Sequence, residues 1–129
     1  LIYYLSDQCV HCVEQLRLVE ERAAEFAERD TVLLAISADQ PDRNTLGSLS
    51  DLPFRLLSDS TDHANAIRWR SYDEFEELEL HSTNLIDREG RLRWARTGGD
   101  PFTNLDFLLE ELDRIEALDL EPIGMPGGR

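Results

Sequence analysis

Leu1 to Leu5 is an unbroken run of apolar and aromatic residues, and Ser6-Asp7-Gln8 stops it. Such a run reads as a buried strand, because branched and aromatic side chains pack well on a pleated surface. From Cys9 to about Arg29 the spacing becomes helical. Cys12, Leu16, Val19, Ala23 and Phe26 or Ala27 share one face, while Glu14, Arg17, Glu21, Arg22, Glu25 and Glu28 occupy the others. Thr31 to Ser37 is again continuously apolar, the mark of a strand covered on both faces in a parallel sheet. Pro41 suits the first turn of a short helix, expected to end near Asp51-Leu52-Pro53. Phe54 to Leu57 is a short extended piece. Ser60 can cap a second short helix containing Ala64, Ala66, Ile67 and Trp69. Residues 70–80 are acidic and irregular. Thr83–Asp87 and Arg91–Thr97 alternate like strands around Arg88-Glu89-Gly90, a hairpin signal. Thr103 or Asn104 can cap a last helix to about Leu118, with Leu105, Leu108, Leu109, Leu112 and Ile115 as its apolar stripe.

The order is β-α-β-α-(β)-α-β-β-α, a βαβ unit whose crossover should be right-handed, followed by a β-hairpin and a terminal helix. This predicts an α/β class with a central mixed sheet flanked by helices, the thioredoxin-like arrangement. The 129 residues suffice for one domain and not for two. The domain is placed at residues 1–118, and residues 119–129, rich in Gly and Pro from Glu121 onward, are expected to be a flexible tail or linker. A strand-like start without Met, charged n-region or cleavage site reads as the interior of a longer chain, with preceding strands missing. No apolar stretch reaches the ~20 residues of a membrane helix.

Asp and Glu number 27 against 13 basic residues, all of them Arg, for a net charge of −14. That balance argues against nucleic acid or an anionic membrane as partner, since both need basic surface. A salt-adapted proteome and a GC-rich genome explain the Lys-free composition equally well. Neither bears on catalysis.

The two Cys stand three positions apart as Cys9-Val10-His11-Cys12, at a strand-to-helix junction. A disulfide scaffold would spread more Cys over loops, and a structural zinc site needs a second ligand pair. The pair reads as a redox dithiol ahead of two alternatives, inert buried thiols or half of a zinc site. A thiolate is the reactive form of Cys, and unpaired N–H groups at a helix start stabilise it. Cys12 lies on the apolar face with Leu16 and Val19, so Cys9 is expected to attack and Cys12 to resolve. His11, between them, is expected to favour the thiolate, against the alternative of a plain surface histidine. His63 and His81 lie in distant segments without ligand spacing, so no metal site is expected. The acidic clusters Glu20-Glu21 and Glu74 to Glu79 are read as solvated faces. No phosphate loop or serine elbow occurs.

Four segments, in order, resemble the alkyl hydroperoxide reductase/thiol-specific antioxidant (AhpC/TSA, peroxiredoxin-like) branch of the thioredoxin superfamily. Tyr3 to Leu16 resembles the family's active-site strand and helix, and Leu33 to Asp39 its second strand with the following loop. Leu52 to Asp59 resembles its Leu-Pro-Phe-Pro-Leu-Leu-Ser-Asp segment, and Ser82 to Trp94 its hairpin. The resemblance covers about residues 1–116 and implies a redoxin fold and antioxidant thiol chemistry without a cofactor. Departures accompany it. Typical peroxidases of the family carry Thr-x-x-Cys, with the reactive Cys at position 12 and Thr where Cys9 stands. They also carry a Pro where this chain has Leu5. At position 81, where their Arg or a thioredoxin-type Pro is expected, stands His81, a candidate active-site neighbour. The Cys-x-x-Cys form therefore looks more like a thiol–disulfide oxidoreductase acting on a protein or small-molecule disulfide. A hydroperoxide-reducing peroxidase and a non-catalytic module of a larger protein are the alternatives. Oligomeric state and compartment are left open, with a prokaryotic cytoplasm favoured.

Overall fold

A computed structural model describes residues 1–59 and 61–120. Its elements are β1 (Ile2–Tyr3), α1 (Val10–Glu21), α2 (Ala23–Ala27), β2 (Leu34–Ser37), α3 (Pro41–Leu46) and β3 (Arg55–Ser58), then α4 (Ala64–Arg68), β4 (Tyr72–Asp73), β5 (Leu78–Glu79), β6 (His81–Ile86), β7 (Leu92–Gly98) and α5 (Leu105–Leu120). Five strands form one mixed sheet in the order β3-β2-β1-β6-β7. β1, β2 and β3 run parallel, and β6 and β7 run antiparallel to their neighbours. This is the expected βαβ unit, hairpin and closing helix.

Alternation along the central strand divides the interior. Ile2 and Tyr4 face the larger core with Leu16, Val19, Phe26, Leu85, Leu105, Leu108, Leu109 and Ile115, whereas Tyr3 faces a smaller core with Ile36 and Ala66. The apolar stripes of α1 and α5 therefore cover one face of the sheet. Among the described residues no helix is long and apolar enough to cross a membrane.

Several boundaries differ from the sequence pattern for local reasons. The expected single helix over 9–29 breaks at Arg22 (φ −114°, ψ 14°). There the Arg22 N–H bonds the Val19 carbonyl at 3.1 Å, a three-residue step, and α2 restarts with Phe26 in the core. Helix α3 stops at Leu46 rather than near Asp51, because Gly47 is extended (φ −82°, ψ −174°). A side chain on Gly47 would collide with the Arg43 carbonyl and the Asp7 carboxylate. Beyond it Leu49 and Leu52 turn inward as loop residues of the core. Within 70–80, β4 and β5 pair as a small hairpin, Tyr72 opposite Glu79. Of the two cap candidates for α5, Asn104 does the work: its Oδ1 accepts the Phe107 N–H at 3.1 Å. The proposed cap at Ser60 and most of the proposed tail, residues 121–129, lie outside the described residues, while Asp119 and Leu120 close α5.

Candidate active site

The site forms where the end of β1 meets the start of β6. These strands are antiparallel, with Tyr3 opposite Ser82, so the loop leaving β1 toward α1 lies beside His81, the first residue of β6. Residues 69 to 72 positions apart in sequence thereby become neighbours.

Cys9 caps helix α1, with extended backbone (φ −85°, ψ 110°). Its carbonyl accepts the Val13 N–H at 3.0 Å, and its Sγ accepts the Cys12 N–H at 3.3 Å. A negative sulfur at this point faces a free helical donor and the positive end of the backbone dipoles. Asp7 braces the loop before it. The Asp7 N–H donates to Asp39 Oδ2 at 2.8 Å, and Arg43 of α3 donates to Asp7 Oδ1 at 2.7 Å.

Cys12 is wholly buried (0 % exposed), whereas Cys9 is half-buried. Cys12 Sγ accepts the Leu5 N–H at 3.3 Å and lies 2.9 Å from His81 Nε2. Cys9 Sγ is 3.9 Å from the same nitrogen. Burial pushes the Cys12 thiol up to about 12, and its hydrogen bond with Cys9 adds to the rise. A neutral, protonated Cys12 follows from both.

The tautomer of His81 is fixed from behind. Its Nδ1 lies 2.9 Å from the Gly99 carbonyl, which can only accept, so the ring proton sits on Nδ1. The Nε2 lone pair then points at the two sulfurs, and the Cys12 S–H donates to it. Burial lowers the His81 imidazole below its ordinary value of 6.5; the Gly99 hydrogen bond and Asp100 oppose this, and His11 adds to it. Near neutral pH His81 is an uncharged acceptor.

The sequence expectations fare differently here. Cys9 is the accessible sulfur and Cys12 the sheltered one, as helix phasing implies. Among the described contacts none joins the His11 side chain to either sulfur. That side chain is 76 % exposed, with Nδ1 3.6 Å from Glu14, because position 11 points off the apolar face that carries Cys12. The spacing argument that set His81 apart as a lone histidine is corrected by the β1–β6 pairing. His63 is indeed apart from the thiols, stacked on Tyr72 (ring centroids 4.7 Å) and 3.0 Å from Glu79. Glu79 is correspondingly no solvated acid, since burial raises its carboxyl.

Three contributors were not foreseen. Gln15, on the buried side of α1, donates to Thr83 Oγ1 at 3.1 Å and to the Phe102 carbonyl at 3.0 Å, fastening α1 to β6. A polar residue among Cys12, Leu16 and Val19 was the available signal. Gly99 acts through its carbonyl, and Leu5 through its amide, so neither leaves a side-chain signature. An apolar hollow lined by Val19, Phe26, Leu85, Leu108 and Ile115 among others does not include Cys9, Cys12 or His81.

Comparison with known proteins agrees with this architecture. The AhpC/TSA family model matches residues 1–95. No curated protein gives a significant sequence match. Among solved structures, Plasmodium yoelii thioredoxin peroxidase I superposes with a TM-score of 0.80 at 19 % identity, over 99 % of this chain and 78 % of that one. The reduced Plasmodium vivax 2-Cys peroxiredoxin gives 0.81 at 19 % identity, over 93 % and 77 %. Mycobacterium tuberculosis AhpC gives 0.73 at 20 % identity, over 93 % and 70 %. At these identities the likeness establishes the fold.

Proposed function

The chain belongs to the AhpC/TSA family, and on that premise we propose that it is a thiol–disulfide oxidoreductase working through Cys9 and Cys12. The observation that carries the reading is the pairing of an accessible and a buried sulfur within one helical turn, both facing the lone pair of His81.

The Cys9 thiolate attacks one sulfur of a partner disulfide. A Cys9–partner S–S bond forms, the partner's own S–S bond breaks, and the departing sulfur leaves as a thiolate that takes a proton from solvent. Cys12 then gives its proton to His81 Nε2 and attacks Cys9 Sγ. The Cys9–Cys12 disulfide forms, and the second partner sulfur departs and collects a proton. The partner gains two electrons and the dithiol loses two. A second dithiol, reacting in the reverse sense, restores the reduced pair. Gly99 holds the histidine tautomer throughout, and Gln15 keeps α1 against β6.

Family membership favours a second reading, reduction of a hydroperoxide. A thiolate would attack the terminal peroxide oxygen, releasing an alcohol and leaving a sulfenic acid, and the other thiol would condense with it, losing water. Two observations weigh toward disulfide exchange. Cys12, at the family's reactive position, is buried and protonated, and the polar contacts described for either sulfur come from His81 and backbone amides rather than from an Arg.

Insulin reduction driven by dithiothreitol tests the assignment. Wild type is expected to accelerate it well above the uncatalysed rate, and Cys9→Ser to abolish the acceleration. Equal rates for the two would sink the role of Cys9. Stopped-flow peroxide consumption at an ordinary free-thiol rate is the expected companion result, and a rate several orders faster would replace this reading with the peroxidase.

A further inference from the structure

Cys9 Sγ, Cys12 Sγ and His81 Nε2 all lie within 4.8 Å of one another. Two thiols and an imidazole are the ligand types that zinc prefers, and three protein ligands with an open fourth position make a reactive rather than a structural site. We propose that the reduced protein binds one Zn²⁺ through Cys9, Cys12 and His81, with the fourth position open on the Cys9 side.

The geometry can be checked against the metal. Zinc–sulfur bonds of about 2.3 Å and zinc–nitrogen bonds of about 2.0–2.1 Å at a tetrahedral angle require sulfur–nitrogen separations of roughly 3.6 Å. Cys9 Sγ to His81 Nε2 is 3.9 Å and Cys12 Sγ to His81 Nε2 is 2.9 Å. One edge must therefore close by about 0.3 Å and the other open by about 0.7 Å, movements within the reach of a single χ rotation. The shorter edge is short because a proton now bridges it. Metal entry removes that proton and the reason for the contraction.

The surroundings are those of a ligand set. A zinc-bound histidine characteristically donates its other ring N–H to a carbonyl, which fixes the tautomer and aims the lone pair; His81 Nδ1 does this to Gly99. Backbone amides of Leu5 and Cys12 donate to the two sulfurs, as thiolates require. Charge balance also favours the complex. Zn²⁺ exchanges for two thiol protons, so Cys12 loses its proton without leaving an isolated negative charge in the interior. Closing the Cys9–Cys12 disulfide withdraws both sulfurs from the metal. Zinc occupancy and thiol–disulfide exchange are thus mutually exclusive states of one site. The binding itself needs only the two thiols and His81, so it does not depend on the exchange reaction being the biological one.

The full chain, reduced and kept anaerobic, is titrated with Zn²⁺ against a chromophoric chelator, and with Co²⁺ as an optical probe. One equivalent of each is expected to bind. The Co²⁺ form should show sulfur-to-metal charge-transfer absorption and the intense visible bands of tetrahedral coordination. Zinc should protect both thiols from alkylation in the wild type, a readout that needs no substitution. Cys9→Ser, Cys12→Ser and His81→Ala are each expected to weaken zinc at least tenfold, with far-ultraviolet circular dichroism confirming that the variants fold. His11→Ala and His63→Ala should bind as wild type, and the oxidised chain should bind none. Failure of the reduced wild type to compete for zinc, Co²⁺ spectra without sulfur bands, or undiminished binding by folded His81→Ala would each overturn the proposal. A chain that binds zinc but does not reduce insulin would uphold it and refute the exchange reading alone.

Discussion

Replacing His81 by Ala isolates the second half of the proposed reaction. In the mixed disulfide Cys9 no longer carries a thiol, so its contribution to the raised Cys12 thiol is gone. Burial, the largest cause, remains. Burial, which contributes most to the rise to about 12 in the reduced pair, keeps spontaneous ionisation of Cys12 rare at pH 7. His81 Nε2, 2.9 Å away and uncharged, takes the proton as the sulfur attacks. A positioned base of this kind is worth about 10²–10⁴-fold. Charging the protein with an aromatic disulfide such as 5,5′-dithiobis(2-nitrobenzoate) releases one coloured thiolate on attack by Cys9 and a second on resolution by Cys12. Stopped-flow separates the two. His81→Ala is expected to slow the second release about 100-fold or more, with a much smaller effect on the first. Because burial holds the imidazole below its ordinary 6.5, wild-type resolution should level off by about pH 7. The variant's rate should instead climb about tenfold per pH unit through pH 9, following Cys12 itself, and added imidazole should recover part of the loss. Equal second-phase rates with the same pH profile would refute the reasoning.

Other consequences follow from packing and charge. Leu16 is completely buried between α1 and the sheet, so Leu16→Ala is expected to cost about 2–5 kcal/mol in urea unfolding; a loss below ~1 kcal/mol would mean that this core is misassigned. Asp87 holds the β6–β7 turn, accepting from the Glu89 and Arg91 amides (both 2.9 Å), Arg91 Nε (2.8 Å) and Arg93 Nη1 (3.0 Å). The Arg91 amide foremost holds its carboxyl well below the ordinary 3.8. A depressed carboxylate contributes stability that is complete above its ordinary value and is lost as pH falls below it. Asp87→Asn should therefore lower the melting temperature at pH 7 and flatten its decline between about pH 4 and pH 2. Parallel acid profiles for variant and wild type would contradict the assignment.

The reach of the sequence pattern follows from what kind of interaction fixes each feature. Strands and helices whose apolar faces meet the core were legible, because Leu16, Val19, Leu105, Leu108 and Ile115 repeat at helical spacing and the run Leu33 to Ile36 does not alternate. The order of elements then restricted the topology. Boundaries set by single backbone torsions, at Arg22 and Gly47, carry no periodic signal. The inner and outer sulfurs were legible for the same periodic reason as the core. The histidine was legible only through the family resemblance, which made His81 a candidate neighbour, while spacing alone pointed to His11. His11 is the neighbour in sequence, but one helical residue places it 100° around the axis from Cys12. His81 is the neighbour in space through antiparallel pairing of β1 with β6. Its tautomer depends on a backbone carbonyl at Gly99, which no side-chain pattern records.

The division of labour between the sulfurs is tested most directly by trapping the covalent intermediate. Reduced Cys12→Ser and Cys9→Ser are each incubated with a disulfide-bonded peptide, quenched with acid, and weighed intact by mass spectrometry. Exposed Cys9, with no resolving thiol behind it, should accumulate a one-to-one mixed disulfide in Cys12→Ser. Buried Cys12 should give little or none in Cys9→Ser. The reverse pattern, with the adduct on Cys12, would contradict the account.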